Sequence, residues 1–123
     1  MEIIHRVCAG LDVHKQSVAA CVRVLGESHK LRSVVRTFGT MTHDIQEMKT
    51  WFEELGVTHV AMESTGVFWK PVWNILEEHF ELLLVNPRHM KNVPGRKTDV
   101  KDCEWICQLL QFGLLKARST RNH

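Results

Sequence analysis

Four carboxylates occupy positions from which they could share one ion. Asp12 ends the apolar stretch Cys8-Ala-Gly-Leu-Asp12, and Glu63 ends Thr58-His-Val-Ala-Met-Glu63. Asp99 and Asp102 lie three residues apart at the opening of a late helical pattern. Each has an ordinary explanation when taken alone. A lone acid after a strand is usually a turn residue, and Asp99 as N-cap with Asp102 in the first turn would complete a capping arrangement. Together they point elsewhere. Clustered acids repel one another, and their removal from water is costly unless a cation neutralises them. All-oxygen donors select hard ions, so Mg2+ (or Mn2+) is the expected cofactor. Two such ions about 4 Å apart suit phosphodiester chemistry, one activating the attacking oxygen and the other stabilising the leaving oxygen.

Particular elements must position these acids. Residues 6 to 12 read as a first strand, Ser17 to Leu25 as a second and Leu31 to Phe38 as a third, with short links that predict an antiparallel meander. Gly39-Thr-Met-Thr42 breaks the sheet. Thr42 is the expected cap of a helix in which Ile45, Met48, Phe52 and Leu55 recur at helical spacing, and Gly56 ends it. Thr58 to Met62 is a short apolar strand after a helix, so a parallel crossover is expected. Ser64-Thr-Gly66 leads into a second helix with a buried face of Phe68, Val72, Ile75 and Leu76, where Pro71 is tolerable only in the first turn. Trp69 and Trp73 lie on an adjoining face and serve either the core or a contact with another domain or subunit. Glu81 to Val85 is a fifth strand, stopped by Asn86-Pro87. The strands bearing Asp12 and Glu63 should be neighbours that end at one edge. A last helix opening at Thr98 or Asp99 and packed on the sheet would bring Asp99 and Asp102 to the same place.

Between the fifth strand and the last helix runs a basic segment centred on Pro94-Gly95. Residues 88 to 101 hold five Lys or Arg against one Asp. A basic segment beside an acidic site suits a phosphate backbone that the acids alone would repel. Lys15, Arg88, Lys91, Arg96, Lys97 and Lys101 are the candidate nucleic-acid contacts.

The chain of 123 residues fits one domain with a sizeable core, and 44% of it is hydrophobic. A net charge of +2 and a pI near 8.4 permit a nucleic-acid partner without demanding one. Cys8, Cys21, Cys103 and Cys107 show no CxxC spacing and read as buried apolar thiols of a reducing compartment. Cys103 and Cys107, one helical turn apart, could share a soft metal, but no second ligand pair accompanies them. No apolar run reaches membrane-span length and no signal-peptide pattern opens the chain, so a cytoplasmic protein is expected. The division expected is a domain over 1–115 and a basic tail or linker over 116–123.

Gly10-Leu-Asp-Val-His-Lys15, Met62-Glu-Ser-Thr-Gly66, Asn86-Pro87 and Lys97-Thr-Asp-Val-Lys-Asp102 resemble the DEDD transposases of the IS one-ten family of insertion sequences, relatives of the Piv invertase. The resemblance implies an α/β RNase H-like (RuvC-like) fold, with a five-stranded mixed sheet of three antiparallel then two parallel strands flanked by helices. It implies Asp12, Glu63, Asp99 and Asp102 as catalytic, metal-holding acids, with Mg2+ as cofactor. It implies recombination of DNA at element ends, a structured guide RNA, and a homo-oligomer of the full-length protein. Members carry a nucleophilic serine in a second domain, so the first domain alone would be incomplete for recombination; Ser64 is not that serine.

Two other readings compete. A nucleic-acid-binding or dimerisation module of the same fold would use these acids structurally. An actin-like or sugar-kinase lobe also begins with a Gly-Leu-Asp strand, but the chain has no second Gly-rich phosphate loop and is too short for two lobes.

Overall fold

In a computed structural model, residues 2–115 are described; the basic stretch expected over 116–123 lies outside them. Five strands form one sheet: β1 (Val7–Val13), β2 (Val18–Leu25), β3 (Leu31–Phe38), β4 (His59–Ser64) and β5 (Glu81–Leu84). Their order across the sheet is β3-β2-β1-β4-β5. The β1–β2 and β2–β3 pairs are antiparallel, and β1–β4 and β4–β5 are parallel. The expected mixed sheet is therefore present. Among the described residues four helices accompany the sheet: α1 (Thr42–Leu55), α2 (Trp69–Leu76), α3 (Pro87–Lys91) and α4 (Asp102–Gln111).

Strand periodicity sorts the side chains into two cores. Ala9, Leu11 and Val13 face one side and join Ile45, Met48, Phe52, Val72 and Leu76 of α1 and α2. Cys8, Cys21 and Ala61 face the other and join Ile106, Leu109 and Leu110 of α4. Gly10 lies on the α4 side. A Cβ built on it would stand 2.5 Å from the Cys107 nitrogen and 2.6 Å from the Cys103 oxygen. Only glycine lets the α4 backbone lie directly on β1. The far end of α4 is tied down as well. Buried Gln111 accepts a hydrogen bond from Arg23 Nε at 2.8 Å, and its carbonyl accepts one from the Ile4 N–H at 2.8 Å.

Several expectations are corrected. The first strand runs one residue later than 6 to 12, to Val13, and β4 continues through Glu63 to Ser64, so Asp12 and Glu63 sit within their strands. The residue capping α1 is Met41, whose N–H donates to Asp44 Oδ2 at 3.1 Å; Thr42 is the first helical residue. The basic segment is not a loop throughout, because Pro87–Lys91 forms α3, with the Asn86 side chain accepting from the Arg88 N–H. The last helix opens at Asp102, not at Thr98 or Asp99. Its N-cap is Lys101, whose N–H donates to Glu104 Oε1 at 3.1 Å. The acid-at-N3 device expected of Asp99 and Asp102 is made two residues later, by Lys101 and Glu104. Pro71 sits in the first turn of α2 as expected, and Trp69 and Trp73 form an edge-to-face pair with centroids 5.7 Å apart. Among the described residues no helix is long and apolar enough to cross a membrane.

Candidate metal centre

Asp12 and Glu63 are direct partners in the parallel β1–β4 register. Both follow, at two-residue spacing, small residues facing α4: Gly10 on β1 and Ala61 on β4. The acids consequently project toward the first turn of that helix. Asp102 is the first residue of the turn. Asp12, Glu63 and Asp102 each offer a carboxylate oxygen, and the three oxygens lie within 4.8 Å of one another. Asp12 and Glu63 are half-buried, and Asp102 is exposed.

The electrostatics at the three acids suit a cation. Burial, then the charge of Asp12, hydrogen bonding to Asp12 and the charge of Asp102 hold the Glu63 carboxyl above the usual carboxylate range; His14 opposes them. Three close oxygens of hard character suit a divalent cation with oxygen preference. They are the wrong donors for a soft ion. The four cysteines are buried where α4 meets the sheet, Cys8 and Cys21 on β1 and β2 and Cys103 and Cys107 on α4, and none belongs to the acid group. Cys8 and Cys107 sulfurs stand 3.9 Å apart, and burial, with the charges of Cys21, Glu104 and Asp12, pushes the Cys103 thiol up to about 12. These thiols are side chains of the core on the α4 side of the sheet.

Asp99 is not brought into this group. It lies exposed on the segment between α3 and α4, one helical turn before α4 begins. Lys15, Arg88, Lys91, Arg96, Lys97 and Lys101 are all exposed. Lys15 follows β1, Arg88 and Lys91 follow β5, and the others precede α4, so chain direction puts all six at the end of the sheet that carries the acids. Arg96 is already engaged: its Nη2 donates to Asp102 Oδ1 at 2.8 Å and to the Val100 carbonyl at 2.6 Å.

Two contacts of the acids go beyond the sequence reading, which names Arg96 only as a candidate nucleic-acid contact. His14 Nε2 stands 3.0 Å from Asp12 Oδ2. Its position two residues beyond Asp12 is the period of a strand face and could have indicated it. The Arg96–Asp102 pair had no periodic signal.

The family model for a DEDD transposase of IS110 type matches residues 9–122. The chain belongs to that transposase family. A comparison with curated proteins returns no match. Among solved structures, the transposase domain is similar to Thermus thermophilus RuvC, with a TM-score of 0.61 and 12% identity over 91% of this chain and 99% of that one. It is also similar to T. thermophilus RuvC in complex with a Holliday junction substrate, with a TM-score of 0.58 and 13% identity over the same shares of the two chains. At such identities the likeness concerns the fold, which is the RuvC-like branch of the RNase H-like architecture.

Proposed function

We propose that this transposase domain cuts and rejoins DNA phosphodiesters at insertion-sequence ends, with Asp12, Glu63 and Asp102 as ligands of a divalent cation, Mg2+ or Mn2+. The observation that carries the reading is the convergence of three acids from β1, β4 and α4, each oxygen within 4.8 Å of the others. A divalent ion bound there supplies charge neutralisation at the phosphate and an activated oxygen nucleophile. The protein's own groups do the rest. Asp12 and Glu63 are fixed by the sheet register, so their spacing does not depend on a loop. His14 holds Asp12 by its 3.0 Å contact and fixes the orientation of that carboxylate. The exposed cations Lys15, Arg88, Lys91, Lys97 and Lys101 would hold the backbone against the acidic centre. Asp99 is assigned a place in the centre only after the segment that carries it moves.

The resemblance to the IS one-ten family supports a structured guide RNA, a homo-oligomer, cytoplasmic action and a serine-bearing second domain as parts of the full reaction. We assign residues 1–115 the metal-binding share of it. A thermal melt with and without Mn2+ tests the assignment. The midpoint should rise with Mn2+ in the wild-type chain and stay fixed in Asp12→Asn. Equal shifts in both would leave the acids a structural role.

A further inference from the structure

The Arg96 contacts cross from the basic segment to the acidic centre, and this crossing has consequences for loading. Its guanidinium takes a carboxylate oxygen of Asp102 at 2.8 Å and the Val100 carbonyl at 2.6 Å. It therefore places a positive charge on one of three acids that would hold a cation. It also bridges residues 96 to 102, the stretch on which Asp99 lies. We propose that Arg96 is a positioning residue that holds the centre in a resting form, and that a DNA phosphodiester takes its guanidinium and thereby tightens the hold of Asp102 on a divalent ion.

This inference rests on the metal reading of Asp12, Glu63 and Asp102. Three observations support it. The planar fork of arginine fits a phosphate as well as a carboxylate, so the two compete for one group. The pair is only partly shielded, with side-chain exposures of 35% for Arg96 and 50% for Asp102, so exchange needs no unfolding. The bound carbonyl has a second destination. In a helix begun one turn earlier, the Glu104 N–H would donate to the Val100 oxygen that Arg96 now holds. Such a turn would set Asp99 three residues before Asp102 on a continuous helix, where the two share a face. Arg96 thus keeps α4 short as well as occupying Asp102. Binding of a phosphodiester and of a divalent ion then favour each other, and the coupling is reciprocal.

Mn2+ binding to the whole chain, read from the electron paramagnetic resonance of the free ion, tests the inference. Wild type, Arg96→Met, Asp99→Asn and Asp12→Asn are each titrated alone and with a saturating 20-base-pair DNA duplex, after subtraction of the duplex's own Mn2+ uptake. Without DNA, Arg96→Met should bind Mn2+ roughly fivefold tighter than wild type, the size one partly solvated ion pair allows. DNA should tighten wild type by a similar factor and leave Arg96→Met unchanged. Asp99→Asn should match wild type without DNA and lose part of the gain with it. Equal Mn2+ affinity of wild type and Arg96→Met under both conditions overturns the inference. Absence of any Mn2+ binding that Asp12→Asn removes overturns the metal reading beneath it, which is a different result. Melting curves of Arg96→Met confirm folding independently of ion binding.

Discussion

Asp12 and Glu63 face each other across the β1–β4 pair, in register on adjacent parallel strands. Like charges placed directly opposite on a sheet weaken it, and here a third acid, Asp102, reinforces the repulsion. The neighbouring small residues Gly10, Ala61 and Cys21 lie where α4 packs on the sheet, with the α4 backbone directly over Gly10. Stability and the proposed ion binding would be opposed at these positions.

Glu63→Gln should accordingly stabilise the metal-free domain near neutral pH. The Glu63 carboxyl is held above its ordinary range, so its protonated form favours the fold. That stability is full below the ordinary carboxylate value and is lost as pH rises through the raised one. The amide removes the loss. A gain of up to about 1 kcal/mol is expected from a like-charge cross-strand pair, or roughly 4 °C in the midpoint of a domain this size. A melt at pH 7.5 that shows Glu63→Gln less stable than wild type would contradict it.

Acid should release the ion earlier than an ordinary carboxylate site would. Binding requires the ionised form of Glu63, and burial with the Asp12 and Asp102 charges raises the pH at which that form appears. Mn2+ affinity should therefore begin to fall above about pH 4.3, the ordinary glutamate value, as pH is lowered. Calorimetric titration at a series of pH values reads the midpoint.

Gly10→Ala should disable the centre from beneath. Its Cβ would press on backbone atoms of Cys103 and Cys107, which have no rotamer with which to yield. α4 must lift, carrying Asp102 away from Asp12 and Glu63. Overpacking of this kind costs about 1–3 kcal/mol. The Mn2+-induced rise in melting midpoint should vanish while the fold persists. Gly56→Ala is the comparison: it strains a left-handed cap of α1 at φ 83°, costs about 1 kcal/mol, and should leave Mn2+ binding intact.

The exposed cations beside the acids should be readable as a salt slope. Arg88→Ala and Lys97→Ala should each weaken duplex binding and flatten the dependence of log affinity on log salt by about one. Fluorescence anisotropy over a range of KCl concentrations measures both. Unchanged slopes would place the backbone elsewhere.

Asp12 and Glu63 could be read from sequence because strands report themselves by period and termination. An apolar run with a single acid near its end has few other arrangements. Asp102 was also legible, since the apolar spacing of Cys103, Ile106, Cys107 and Leu110 requires a helix that covers the sheet. The displaced helix start was not legible. Asp99 with Asp102 and Lys101 with Glu104 both place an acid at N3, and the later start is accompanied by the reach of Arg96 to Val100 and Asp102. That contact arises in three dimensions and leaves no periodic trace. The start of α3 was signalled by Asn86-Pro87, which ends β5 and caps the following turn at once; only the first of those two roles was read.

The seat of α4 on β1 has a bearing on synthesis. Two acids arrive with the first sixty-odd residues, whereas the third arrives on the helix that ends at Gln111. Until that helix leaves the ribosome and docks over Gly10, a nascent chain presents an open sheet face and an incomplete set of ligands. The proposed ion site would thus be completed late, after nearly all of the described fold has been translated.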